Sequence, residues 1–155
     1  MAIARGAGTE IIRSASFEDV ANTEAKLILG VQHHIYTVLS VIIMCGTRSG
    51  TENGHLRLLS YDSYAGTTFE VINIAKVSLD AEETFVWNDK FSFNGYEPDS
   101  SLFSGILSTV AEQDAIADQG NTGTNPTGAQ HLSFYTDGAS TTFDIHVTYI
   151  DQNNE

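Results

Sequence analysis

The stretch TFDIHVTYI, residues 142–150, decides the fold class. Its odd-numbered positions hold apolar or aromatic side chains, whereas most even-numbered positions hold threonine, aspartate or histidine. This alternation with a period of two is the pattern of a β-strand that buries one face. The run HLSFY, residues 131–135, alternates in the same way just upstream. Both runs therefore predict half-buried strands.

An Asp-Gly pair at residues 137–138 lies between these runs and favours the positive φ angles of a tight turn. A two-residue loop there pairs Leu132 with Phe143 and His131 with Asp144. The apolar side chains of both runs then share one face, and a four-residue loop gives the same result. The sequence predicts a β-hairpin at the end of the chain.

Seven other segments have strand patterns, rich in β-branched and aromatic residues and separated by turns that contain glycine or asparagine. They are residues 10–13, 26–29, 31–45, 55–61, 69–77, 84–87 and 90–93. Residues 38–45 are apolar on both faces, which indicates a central strand. The sequence predicts an all-β fold, an antiparallel β-sandwich or jelly roll of about 7–9 strands, as a single domain over residues 1–155.

Residues 97–130 depart from the strand pattern. Four aliphatic residues there have helical spacing, namely Leu102, Ile106, Leu107 and Val110. A polar, glycine-rich stretch follows them, so we predict a short helix and a long loop near residues 100–130. Because loops longer than about 12–15 residues are often functional, residues 118–130 are a candidate contact surface. A mobile insertion explains them equally well.

The two chain ends are polar or glycine-rich. Residues 1–9 are predicted to form a flexible arm that reaches a neighbouring molecule, and they are the second candidate contact region. Residues 151–155 are predicted to form a polar tail. The first residues include one arginine and no apolar signal core, so we expect no signal peptide.

The charge of the chain disfavours several function classes. There are 20 acidic and 7 basic residues among 155, for a formal net charge of -13. So few cations disfavour non-specific nucleic-acid binding and docking on anionic membranes, and we expect neither partner. The acidity indicates either solubility through self-repulsion, or a cationic partner or divalent metal.

The single cysteine, Cys45, cannot form an internal disulfide. It lies in an apolar run, which favours a core position over a nucleophile. That run has about eight residues, far fewer than the about 20 that a membrane-spanning helix needs. The sequence thus predicts a protein that is made and used in soluble form.

No catalytic motif appears in the chain. Phosphate-binding loops, dinucleotide-binding glycines and the nucleophile elbow of hydrolases are all missing, so we expect no enzyme and no cofactor. The acidic residues 80–83 are interpreted as a solvated turn, and the acidic pair near residues 97–99 as a helix N-cap. Calcium bound by loop carboxylates remains an alternative.

The five histidines lack the spacing of a zinc site. The predicted hairpin brings His131 and His146 close to Asp144, as a weak metal site, a pH-sensitive patch or simply a polar sheet face. His33 and His34 should point to opposite faces of a strand and share no metal.

Aromatic residues crowd one segment of the chain. An exposed aromatic row can stack on sugar rings, which would indicate a carbohydrate-binding module. Four of them occupy odd positions, however, and the register then favours a core-facing set: Phe85, Trp87, Phe91 and Phe93. We expect the core position.

Four segments carry a family resemblance. They are AIARGAGTEIIR (residues 2–13), GVQHHIYTVLS (30–40), WNDKFSFNGYEP (87–98) and DIHVTYIDQ (144–152). Together they resemble small virion structural proteins of tailed phages, notably phages of cyanobacteria and other aquatic bacteria. The resemblance covers most of the chain apart from the loop near residues 100–130.

The resemblance implies a capsid decoration (cement) protein, made in the host cytoplasm and located on the capsid surface of the virion. Such a protein self-associates as a trimer or dimer and bridges subunits of the major capsid protein. The family has no catalytic residues, so the resemblance implies no site residue, metal or cofactor. The alternative is a tail, collar or fibre component that binds a receptor or a carbohydrate.

Overall fold

The computed structural model describes residues 9–31, 33–61, 69–95 and 130–153. Within these ranges the chain forms strands and turns only. The strands are β1 (Glu10–Val20), β2 (Ala25–Leu29), β3 (His34–Thr47), β4 (Gly54–Tyr61), β5 (Phe69–Val77), β6 (Thr84–Trp87), β7 (Phe91–Asn94), β8 (His131–Thr136) and β9 (Thr142–Asn153). In these ranges the structure has no helix of the length and apolar character that a membrane span requires.

The strands form two antiparallel sheets. Sheet A has the order β1-β9-β3-β6, with β7 also paired to β3, and sheet B has the order β2-β8-β4-β5. Because β6 and β7 pair with successive stretches of β3, they act as one interrupted edge strand. Two four-stranded layers connected in this order are a jelly roll. The prediction of an all-β antiparallel fold is confirmed.

The core lies between the two sheets. Phe143 of sheet A and Phe134 of sheet B are fully buried, and their ring centroids lie 5.3 Å apart at an interplanar angle of 63°. Other fully buried side chains come from the inner faces of the central strands: Val38, Val41, Ile43, Cys45, Leu56, Leu132 and Val147. Burying each large aliphatic or aromatic side chain contributes about 1.5–3 kcal/mol.

The predicted hairpin of residues 131–150 is wrong. β8 pairs with β2 and β4 in sheet B, whereas β9 pairs with β1 and β3 in sheet A. Residues 137–141 therefore cross from one sheet to the other. The faces were predicted correctly, because the apolar residues of both strands do point into one core. The apolar side chains of β8 and β9 face each other across the core, whereas the predicted hairpin placed them side by side in one sheet.

Most predicted strands match the observed ones, and both terminal strands are longer than expected. β1 continues to Val20 with a register shift after Phe17. β9 continues to Asn153 with Asp151 and Asn153 buried, so residues 151–153 belong to the strand and not to a tail. The predicted helix and most of the predicted loop near residues 100–130 lie outside the described residues, as do residues 1–8 of the predicted arm.

Candidate functional site

One end of the sandwich joins the chain segments that sequence analysis singled out. We call it the root end and define it by the backbone of Thr9, Gly30, His34, Gly95, Gln130 and Asn153. Donated hydrogen bonds run from Asn153 N to Thr9 O (3.0 Å), from Gly95 N to His34 O (2.8 Å), from Gln130 N to Gly95 O (2.8 Å) and from Gly30 N to Gln130 O (2.8 Å). His34 and Asn153 are partners in the β3–β9 ladder. The bonds form a continuous backbone network across both sheets.

Residues 1–8, residues 96–129 and residues 154–155 all attach to this network. Gly95 and Gln130 flank residues 96–129, and Thr9 follows residues 1–8. The structure therefore brings the attachment points of both predicted contact regions to one end of the domain. The sequence indicated the two regions but not that they attach at the same end of the domain.

A buried carboxylate lies just inside the root end. Asp151 is 4% exposed at its side chain, with Oδ2 3.0 Å from Arg13 Nε and Oδ1 2.6 Å from His34 Nδ1. These contacts tie β1, β9 and β3 together. Burial, together with the charge of Asp151, raises the pKa of neighbouring Tyr36 to about 12. The phenol therefore stays neutral, and Val31 N donates to its oxygen (3.1 Å).

The opposite end of the sandwich has short connections, residues 21–24, 48–53, 78–83 and 137–141. Side chains brace them: Asn53 N donates to Asp137 Oδ1 (2.6 Å), and Thr141 N donates to Glu52 Oε2 (2.7 Å). The acidic residues 80–83 form an exposed turn here, as predicted, in which Glu83 N donates to Asp80 O (3.0 Å). We call this the turn end.

The outer face of sheet A, called face A, carries acidic groups and no lysine or arginine at its strand positions. Its carboxylates are Glu10, Glu18 and Asp144. Hydroxyl groups line its rows, including Ser14 beside Thr148 (3.2 Å) and Thr37 beside Ser92 (2.9 Å). Three large aliphatic side chains are exposed on it: Ile12 (71%), Ile42 (38%) and Val86 (50%). Face A thus combines exposed aliphatic side chains, hydroxyl groups and an acidic charge.

The outer face of sheet B, called face B, carries cations instead. Lys26, Arg57 and Lys76 occupy its strand positions, next to exposed Leu29 (55%) and Val71 (40%). Of the six lysine and arginine residues within the described ranges, three occupy strand positions on face B and none occupies a strand position on face A, where exposed Lys90 lies in the break between β6 and β7.

A polar network covers the centre of face B. Arg57 Nη2 and Ser133 Oγ (2.6 Å) both donate to Glu24 Oε1. The Arg57 guanidinium lies 3.9 Å from the centroid of the Tyr135 ring, and His55 stacks against that ring at 4.9 Å. Burial alone raises the pKa of Glu24, but hydrogen bonds from Ser133 and Arg57 and the charge of Arg57 hold it below its ordinary value.

The Glu24 network predicts a pH-dependent contribution to stability. We expect Glu24→Gln to lower the free energy of unfolding by about 1–2 kcal/mol at pH 7, because charge-assisted hydrogen bonds are lost. A lowered pKa in the folded state stabilises the fold above the ordinary pKa, and this contribution is lost as pH falls through the folded value. Urea unfolding should therefore show a difference at pH 7 that shrinks towards pH 3. Glu70→Gln, at an exposed site, is the control, and an equal loss at both pH values would contradict the network.

The predicted histidine site does not form. His146 and Asp144 lie on face A, where His146 Nδ1 is 2.7 Å from Ser16 Oγ. His131 lies on face B, where burial lowers its pKa. Because β8 and β9 belong to different sheets, the two histidines point away from each other. Within the described ranges no group of three metal-ligating side chains comes together.

His33 and Cys45 have local structural roles. His33 lies in the turn before β3 with a positive φ of 63°, so only His34 belongs to the strand. Cys45 is fully buried, as predicted, and burial raises the pKa of its thiol.

The aromatic residues of β6 and β7 face the core, as their odd register predicted. Phe93 is buried, and Phe85, Trp87 and Phe91 pack against the core. They therefore form no exposed platform for sugar rings. A groove of about 380 Å³ does open between the sheets beside β5 and β7, with uncharged lining that includes Ile72, Ser92, Asn94 and Gln130.

Comparisons with known proteins give structural neighbours only. No family model matches the chain, and no curated protein matches it. Over 100% of this chain and 97% of the other, the structure is similar to a Bacillus endospore appendage protein of disulfide-linked pili (12% identity, TM-score 0.43). A second neighbour is the T13 particle of infectious bursal disease virus, over 99% of this chain and 37% of that chain (8% identity, TM-score 0.38).

A third neighbour is a xylanase of Clostridium thermocellum with carbohydrate-binding and GH10 modules, complexed with xylohexaose. The match covers 93% of this chain and 25% of that chain, at 14% identity and a TM-score of 0.40. Viral particles, a pilus protein and a carbohydrate-binding enzyme thus stand among the structural neighbours. At these identities and TM-scores we infer no function from them.

Proposed function

We propose that this protein is a virion structural protein that decorates a phage capsid, associates with itself and bridges subunits of the major capsid protein. The observation that carries the proposal is the root end, where residues 1–8 and 96–129 attach to one hydrogen-bonded network. The segment resemblance to small virion proteins supports it. The jelly roll fits a structural role, although one fold serves many functions.

The sandwich is suited to act as a rigid mount. Its core side chains are fully buried, and β9 runs for 12 residues between β1 and β3. A mechanical force on either attached segment would be transmitted through the hydrogen bonds of the root end to both sheets. A decoration protein needs this mechanical coupling and needs no catalytic residue.

The charge of residues 96–129 indicates what kind of capsid surface they would bind. Residues 96–129 contain five carboxylates and no lysine or arginine; the acidic residues are Glu97, Asp99, Glu112, Asp114 and Asp118. Charge complementarity favours fast and oriented encounter more than raw affinity. The capsid surface that receives this end is therefore expected to be basic.

The test replaces residues 96–129 by Asn-Gly. The Gln130 N to Gly95 O bond (2.8 Å) then closes a two-residue turn, so the sandwich should fold with a melting temperature within a few degrees of wild type. Binding to capsids stripped of this protein, measured by co-sedimentation, should be lost. Deletion of residues 1–8 should weaken it.

Glu82→Gln at the turn end is the control and should bind like wild type. Full binding by the Asn-Gly variant would contradict the proposal. Unfolding of that variant would show that residues 96–129 belong to the core of the domain.

A receptor- or carbohydrate-binding role in a tail, collar or fibre is the second candidate. The uncharged groove beside β5 and β7 favours it, because its lining combines apolar side chains with serine, asparagine and glutamine residues, the mixture that is common in ligand pockets. A glycan array separates the candidates, since a decoration protein should bind no glycan.

A further inference from the structure

We propose that copies of this protein associate through opposite faces, face A of one copy packing on face B of the next. This inference deepens the proposed self-association by naming its surfaces, and it can be tested on the isolated chain. Face A contributes Glu10, Glu18 and Asp144, and face B contributes Lys26 and Lys76.

The charges select this pairing over the two alternatives. Two copies of face A would bring carboxylates together without a lysine or arginine at any strand position of either face. Two copies of face B would bring lysines together. Lys26 and Lys76 are exposed and make no ion pair within the described ranges, while Arg57 is held by Glu24. Opposite faces are the arrangement that juxtaposes unlike charges.

Exposed apolar side chains lie on the same two faces. Of the seven large hydrophobic residues that are exposed within the described ranges, Ile12, Ile42 and Val86 lie on face A and Leu29 and Val71 lie on face B. Stacked sheets pack about 10 Å apart, and their apolar side chains interdigitate. The A-on-B contact therefore removes aliphatic surface from water on both sides.

The available area sets the strength of the contact. Four to five strands about 4.8 Å apart and about eight residues long give roughly 500–650 Å² on each face. The contact then buries roughly 1,000–1,300 Å² in total, which spans the border between weak contacts and standard-size specific interfaces. Association should be weak and reversible for the free protein. Because the two surfaces differ, the contact is heterologous and builds either a closed ring or an open row.

Charge reversal tests the pairing. Glu10→Lys with Glu18→Lys makes face A basic, and Lys26→Glu with Lys76→Glu makes face B acidic. In sedimentation velocity at concentrations on the order of 100 µM, wild type should associate, and each double variant alone should associate at least about tenfold more weakly. An equimolar mixture of the two variants should regain association, because unlike faces meet again. Raising the salt to about 0.5 M should weaken the wild-type contact.

Asp80→Lys with Glu82→Lys, at the turn end, changes the net charge as much as the face A variant and should leave association unchanged. A monomeric wild type under these conditions would overturn the inference. Failure of the variant mixture to associate would overturn it as well. Neither outcome bears on capsid binding, which the replacement of residues 96–129 tests separately.

Discussion

Replacing Phe143 by alanine should lower the free energy of unfolding by about 3–5 kcal/mol. Phe143 is fully buried in sheet A, and its ring meets Phe134 of sheet B edge to face at 5.3 Å. Truncation removes apolar burial and leaves a cavity between the sheets, which the rigid strands on both sides cannot close. Denaturant unfolding at neutral pH measures the loss.

Two milder substitutions serve as controls for this prediction. Phe143→Leu keeps most of the volume and should cost less than about 1.5 kcal/mol. Val86→Ala, on an exposed face A position, should change stability by less than about 0.5 kcal/mol. A loss at Phe143→Ala no larger than at Val86→Ala would mean that the two sheets do not meet there.

Replacing Gly95 by alanine should lower the free energy of unfolding by about 2–3 kcal/mol. A Cβ atom at residue 95 would lie 1.9 Å from Val31 O and 2.7 Å from Val31 N, both backbone atoms. The backbone segments that are hydrogen-bonded at the root end must therefore move apart to accommodate the methyl group. Hydrogen exchange should show faster exchange at Gly30 N and Gln130 N, whose bonds belong to that network.

Gly46→Ala is the matched control, because its nearest neighbour would be Thr142 Oγ1 at 3.3 Å. The residue lies inside β3 and should tolerate the methyl group with a change below about 1 kcal/mol. If Gly95→Ala proved as mild as Gly46→Ala, the close approach of the three backbone segments at the root end would be refuted.

Local structure was largely predictable because it depends on neighbouring residues. β5 and β6 begin and end at the residues that their patterns indicate, and Phe85 and Trp87 face the core as their odd positions require. The turn interpretation of residues 80–83 rests on equally local chemistry. An alternation with a period of two indicates which face of a strand is buried, and it predicted the buried faces of β8 and β9 correctly.

Pairing and distant contacts were not predictable from such patterns. An Asp-Gly turn between two alternating runs fits a hairpin in one sheet and a crossing between two sheets equally well, and the structure has the crossing. Gly30 and Gly95 carry only a turn signal in the sequence, whereas their structural role is close backbone approach. The contacts of Glu24 with Arg57 and of Arg13 with Asp151 join residues that lie far apart in the chain, so no local signal marks them.

The proposed decoration role is tested most directly by the copy number of this protein in purified phage particles. Quantitative mass spectrometry against the major capsid protein gives that number. A decoration protein should be present in stoichiometric proportion to the capsid lattice, on the order of hundreds of copies per particle. A few to a few dozen copies would contradict decoration and place the protein in a tail, collar or fibre, and its absence from particles would contradict a virion role.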